Sequence, residues 1–361
     1  MGFRDYYRQF DDIDEAKLNL ERRERRRQEK AAALARAPDI DLSGTEWPDL
    51  PHSEIVNAAI ARARGYVQRY PDRHATSVRR LLADRHGLSP DQIALGNGAA
   101  ELLHSAALAV LTAGDELLTP WPSYPLYPLM AAHAGADPVP VTDQPLAAAV
   151  NERTKAIVIC NPNDPTGSYM LSSELRDLLG GLPDHITVLL DEALVDFKDA
   201  EDLDSCLRLV DDFPRLLVVR TFSKIYGLSG LRAGYAVSSD SHLLAAVAPV
   251  LGINGLTQAA VEYALRTGDA EIERRRQAVA RERQVLTDRL RELGVDVTDS
   301  QANFLWMRVR DMSGDQLANA LRKQGVIVAP GGPLGEEDHI RAAILGEAAT
   351  NRLLRAIENA L

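Results

Sequence analysis

Apolar residues along this chain fall into two patterns. Short unbroken runs, such as Ile157-Val158-Ile159 and Leu216-Leu217-Val218-Val219, leave no polar face. They predict strands covered on both sides, as in a parallel sheet. Further strands are expected near Asp91–Gly96, from Glu116, and from Ile186 into Asp191. Between them lie helical stretches: Ser53 to Gln68 with Ser53 as its cap, a helix after Gly98 running to about Leu111, and a long helical region from about Leu256 to Leu293. Strands alternating with helices predict an α/β fold. After residue 294 the pattern changes to a strand pair ending in NFLWMRV, a helix from Ser313, a strand and glycine turn in GVIVAPG, a strand from His339 to Leu345, and a terminal helix. This gives three expected regions: a charged helical arm over 1–38, a large domain over 39–270 and a small C-terminal domain over 271–361.

The strand ends carry the polar chemistry. The run at 216–219 stops in Thr221-Phe222-Ser223-Lys224, followed by a glycine-rich turn and Arg232. In α/β folds this is the edge where ligands bind. Another run ends in Asp191-Glu192, and an acid at the end of a buried strand is costly unless it meets a cation. The turn at Gly96–Gly98 opens a helix, whose first amides suit an anion. It lacks the third glycine of a dinucleotide fingerprint, having Glu101 there, which argues against a nicotinamide-dependent oxidoreductase.

Bulk composition narrows the class. The 361 residues suffice for a full core, and a net charge of −11 argues against a general nucleic-acid binder. No apolar run is long enough to span a bilayer and the N-terminus is charged from Arg4, so a cytoplasmic protein with no membrane partner is expected. Cys160 and Cys206 lack metal-type spacing and are expected in the core, with no metal site.

Taken together, Thr221, Ser223, Lys224 and Arg232, with Asn161-Pro162-Asn163-Asp164-Pro165-Thr166-Gly167 and Asp191, resemble class I/II aminotransferases of pyridoxal-phosphate (PLP) fold type I, in the histidinol-phosphate aminotransferase-like branch. The resemblance covers about residues 40 to 361. It implies an α/β/α large domain with a mostly parallel sheet, a small α/β domain, and PLP held in a Schiff base by Lys224. The phosphate would be bound by Thr221, Ser223, Arg232 and the amides of Gly98, Ala99 and Ala100, and Asp191 would pair with the pyridinium nitrogen. Tyr124 would stack on the ring, with Trp121 as competitor, and Tyr70 would reach a neighbouring subunit's phosphate, implying a homodimer. Arg341 would clamp a substrate carboxylate, with Glu46, Trp47 and Asn303 on the substrate side. The segment Thr45–Pro51 lacks the family's asparagines and glycine, Ala99 and Ala100 replace its Ser-Asp, and two further departures fall at the cofactor's O3′. Asp164 and Leu194 stand where it has an asparagine and a tyrosine donating to the cofactor's O3′. An ionised Asp164 only accepts hydrogen bonds, so it is expected to be protonated, turned away, or replaced in that role by Asn163.

The implied reaction moves an amino group between an amino acid, or amino-alcohol phosphate, and a 2-oxo acid or related carbonyl compound. Histidinol phosphate, an aromatic amino acid and an unusual biosynthetic intermediate stay open as donors. A PLP-dependent decarboxylase resembling the threonine-phosphate branch is the alternative, and a PLP-binding regulator is a third reading.

Overall fold

The computed structural model describes residues 22–28, 38–142 and 144–361. It separates into two compact units, Met1–Ile40 and Asp41–Leu361. Of the expected N-terminal arm, residues 22–28 form an exposed helical stretch, and the rest of it up to residue 37 lies outside the described residues.

Within Asp41–Leu361 the apolar runs become a seven-stranded sheet. Its strands are β1 (Ile93–Gly96), β2 (Glu116–Pro120), β3 (Asp137–Val141), β4 (Thr154–Cys160), β5 (Thr187–Asp191), β6 (Leu216–Thr221) and β7 (Gly234–Val237). The spatial order is β1-β7-β6-β5-β4-β2-β3, and β7 runs opposite to the other six strands. Side chains alternate between two apolar clusters. Leu118, Ile157, Ile159, Val188, Leu190 and Val218 face one side, while Leu117, Val158, Leu189, Leu217 and Val219 face the other. A strand buried on both faces cannot show the polar alternation of a half-exposed one, hence the unbroken runs.

Helices cover both faces. The first cluster takes Ile55 and Ala59 of α1 (Ser53–Tyr66), Val78 and Leu82 of α2 (Thr76–His86), Leu175 and Leu179 of a helix over Ser172–Gly181, and Ala260, Val261 and Ala264 of a helix over Gly255–Thr267. The second takes Leu102, Leu103 and Ala106 of α3 (Ala99–Val110), Tyr127 and Met130 of α4 (Leu126–His133), and Leu243 and Leu244 of a helix over Ser241–Val247. Each fully buried Leu or Ile contributes about 1.5–3 kcal/mol, so this double interior carries the fold.

One expectation about helices is corrected and another is refined. The cap of α1 is His52, whose Nδ1 accepts from the Glu54 amide at 3.3 Å, and the helix ends at Tyr66. The helical region expected over about 256–293 consists of two helices, Gly255–Thr267 and Asp269–Glu292, parted at Gly268. A side chain at Gly268 would press within 2.5 Å of the Ala264 carbonyl, so the chain turns there on a residue without one.

A second, four-stranded antiparallel sheet follows in the order Ala329–Pro330, Ile340–Ala343, Phe304–Arg308, Asp296–Val297. Helices over Gly314–Arg322 and Glu347–Glu358 accompany it. The 24-residue helix Asp269–Glu292 is pinned by two buried arginines. Arg275 Nη1 donates to the Ile225 carbonyl at 2.7 Å, and Arg283 Nη1 donates to the carbonyls of Phe197 and Ala302, each at 3.0 Å.

Candidate active site

The parallel strands β4, β5 and β6 and the edge strand β1 all end on one side of the sheet, and a cavity of about 190 Å3 opens there. Its wall includes Lys224, Asp191, Tyr124, Asp164, Arg232 and Glu46, with Thr221, Ser223, Ala99 and Ala100 beside them. Ten of the expected site residues therefore share one space.

Asp191 lies at the floor. Its carboxylate accepts from Tyr127 Oη at 2.9 Å and from the Ala193 amide at 3.0 Å. Both donors are neutral, and burial pushes the Asp191 pKa up to about 6 in spite of them and of Lys224. Neighbouring Glu192 belongs to a different network: it accepts from buried Arg220 at 2.8 Å, which also holds Asp204 at 2.7 Å. Alternation along the strand thus separates two adjacent acids, one facing the cavity and one the opposite interior.

Lys224 is held from the other side. Its Nζ donates to Thr45 Oγ1, and the Thr45 carbonyl in turn accepts from Asn303 Nδ2 at 3.1 Å. Burial lowers the Lys224 pKa, opposed by the carboxylates of Asp164 and Glu46. A buried amine of this kind gives up its proton more readily than a surface lysine.

The third part is a cradle at the start of α3. Gly98 is the N-cap, with φ +92 and no side chain to close the helix end. A Cβ there would collide with the Arg232 guanidinium, and one at Gly234 would come within 2.7 Å of the Ala99 nitrogen. Glycine is required at both places for the backbones and the guanidinium to converge. Arg232 itself adopts a left-handed conformation, φ 51, and donates to the Ser229 carbonyl at 2.9 Å, with Ser223 Oγ at 3.4 Å. The Gly98 amide is already used by the Gly96 carbonyl at 2.9 Å, which corrects its expected role as a donor. The amides of Ala99 and Ala100, in the first helical turn, are left for a ligand.

Other expected residues sit elsewhere. Trp47 does not line the cavity; it stacks under Arg275, whose guanidinium carbon is 4.6 Å from the ring centre, against the cluster containing Phe304. Asn303 is buried behind Thr45. Tyr70 is 87% exposed and outside the cavity wall. Trp121 packs beside Gly335, which leaves the cavity to Tyr124. Asn163 is committed to Ser123, Thr166 and the Pro122 carbonyl, so it does not take over from Asp164. Arg341 lies outside the wall and is ion-paired with Asp164. Tyr127, which donates to Asp191, and Thr45, which accepts from Lys224, were not among the expected residues.

A family model described as aminotransferase class I and II matches residues 37–357. The chain belongs to the class I and II aminotransferases. It is 38% identical over 318 residues to an aromatic amino acid aminotransferase of Mycobacteroides abscessus, covering 86% of this chain and 90% of that one. With a histidinol-phosphate aminotransferase of Nitrosococcus oceani it shares 34% over 331 residues, 89% of each chain. Among solved structures, the histidinol-phosphate aminotransferase of Sinorhizobium meliloti in complex with pyridoxal-5′-phosphate superposes with a TM-score of 0.78 at 26% identity, covering 91% of this chain and 92% of that one. The fold is that of type I PLP enzymes, and this aminotransferase is PLP-dependent.

The residues present fit that cofactor. A buried carboxylate supplied only with neutral donors by its immediate neighbours suits a protonated ring nitrogen. The cradle of two helix-start amides, two hydroxyls and a guanidinium suits a phosphate dianion. Among the described residues, no helix is long and apolar enough to cross a membrane.

Proposed function

We propose that Lys224 is the lysine that bonds covalently to PLP, that Asp191 holds its ring nitrogen, and that Ala99, Ala100, Thr221, Ser223 and Arg232 hold its phosphate. The observation that carries this reading is that one cavity holds both Lys224 and an Asp191 with its pKa pushed up to about 6. When bound, the cofactor supplies an aldehyde that captures the amino group and a ring that takes up electrons. Asp191, fixed by Tyr127 and the Ala193 amide, keeps a negative charge against the ring nitrogen. Thr45 holds Lys224 Nζ in position, and Asn303 fixes Thr45. With its pKa lowered by burial, Nζ is suited to accept a proton from the substrate's α-carbon and to return it. Tyr124 offers an aromatic face to the cavity.

The amino donor carries an aromatic or imidazole ring in this reading, as the names of the relatives suggest. Those relatives are aminotransferases, and none supports the decarboxylase alternative. A homodimer in which Tyr70 serves the neighbouring site, in the cytoplasm, completes the proposal. Borohydride reduction of the PLP-loaded protein followed by peptide mapping tests it. A stable label on Lys224 is expected; a label on another lysine, or none, overturns the assignment.

A further inference from the structure

The buried pair Asp164–Arg341 bears on which amines the site accepts. Arg341 projects from the second sheet, where it pairs in register with Trp306 and Ala329. Its Nη1 donates to Asp164 Oδ1 and its Nη2 to the Ser43 carbonyl at 2.8 Å. Both terminal nitrogens of the guanidinium are engaged, while its buried Nε has no partner. The pair is well shielded, with Arg341 9% and Asp164 7% exposed.

Charge makes the point sharper. Asp164 cancels the positive charge of Arg341, and it is Asp164 that lines the cavity, together with Glu46. The charges of both acids raise the pKa of Lys224, so they act on the place where the amine must react. A carboxylate entering beside Lys224 would face two like charges and would have to pull Arg341 from an existing partner. An uncharged group would do neither. Repulsion of this kind discriminates between ligands as effectively as a favourable contact.

We infer that Asp164 is a specificity-determining residue, standing in for a substrate carboxylate at Arg341, so that the site selects amines whose α-carbon carries an uncharged substituent. This rests on the reading of the cavity as the aminotransferase site. The test uses the PLP-loaded protein and two unreactive ligands that differ only at one end, 3-phenylpropan-1-ol and 3-phenylpropanoate, with calorimetric dissociation constants for wild type and Asp164→Asn. Wild type is expected to bind the alcohol at least as tightly as the carboxylate. Asp164→Asn is expected to bind the carboxylate at least tenfold tighter than wild type does, with the alcohol changed less than threefold. Tighter binding of the carboxylate by wild type overturns the inference, and so does an unchanged ligand ratio in the variant. The wild-type comparison decides alone if the variant does not fold. Borohydride labelling of Lys224 in the same preparation separates failure of this inference from failure of the site assignment.

Discussion

Replacing Asp191 by Asn should make the cofactor-free protein gain stability relative to wild type as pH rises, while weakening its hold on PLP. Asparagine keeps an oxygen for the Ala193 amide and turns an NH2 toward the Tyr127 oxygen, which leaves the tyrosine O–H without its acceptor at a cost that does not depend on pH over this range. What disappears is a buried charge. The gap between the ordinary carboxylate value of 3.8 and about 6 corresponds to about 3 kcal/mol, at about 1.4 kcal/mol per pH unit. The sign follows from proton counting. Between about pH 4 and 6 the folded protein holds a proton on Asp191 that the unfolded chain has released, so stability falls as pH rises through this window. Above about pH 6 the full cost is present, and below about pH 4 both states are protonated and it vanishes. Urea unfolding of the cofactor-free proteins from pH 4 to 8 should therefore show the stability of Asp191→Asn relative to wild type rising by on the order of 3 kcal/mol between the two ends. Added PLP should stabilise wild type more than the variant, because only the wild type offers a charge to the ring nitrogen. A stability gap that does not change between pH 4 and 8 would refute the argument that burial raises this carboxyl group.

Two further substitutions probe the cradle and the assembly. Gly98→Ala puts a methyl group on the Arg232 guanidinium and forces alanine to φ +92, ψ 163, a region open essentially to glycine. PLP affinity, followed by absorbance titration, should fall at least tenfold, and unaltered affinity would remove Gly98 from the site. If Tyr70 serves a second subunit, mixing inactive Lys224→Ala with impaired Tyr70→Ala should restore activity through hybrid dimers holding one intact site. No recovery after subunit exchange would show that Tyr70 acts within its own chain or not at all.

The sheet and the strand-end residues were legible in the sequence because a strand covered on both faces must be apolar throughout and must stop where polarity begins. Asp191 and Thr221–Lys224 announce themselves in that way. The pairings that make a site of them left no such mark. Lys224 meets Thr45 across 179 positions, Arg341 meets Asp164 across 177, and Tyr127 meets Asp191 across 64. No periodicity links residues so far apart; the layering of helices on the sheet brings them together. Tyr127 reads as a core aromatic, and its ring is indeed buried; only its hydroxyl reveals the second duty. Trp47 shows the converse, an aromatic in a functional-looking segment that is spent on stacking against Arg275.

The helix Asp269–Glu292 works as a cross-tie. One guanidinium peg on it grips the main chain immediately after Lys224, and another, two turns along, ties the loop at Phe197 to the lip of the second sheet at Ala302. Both guanidinium groups are buried, so the segment carrying Lys224, the loop at Phe197 and the lip of the second sheet are fastened to one rigid element. Removing either arginine would leave buried carbonyls without a donor, and one of those carbonyls belongs to the residue that follows Lys224.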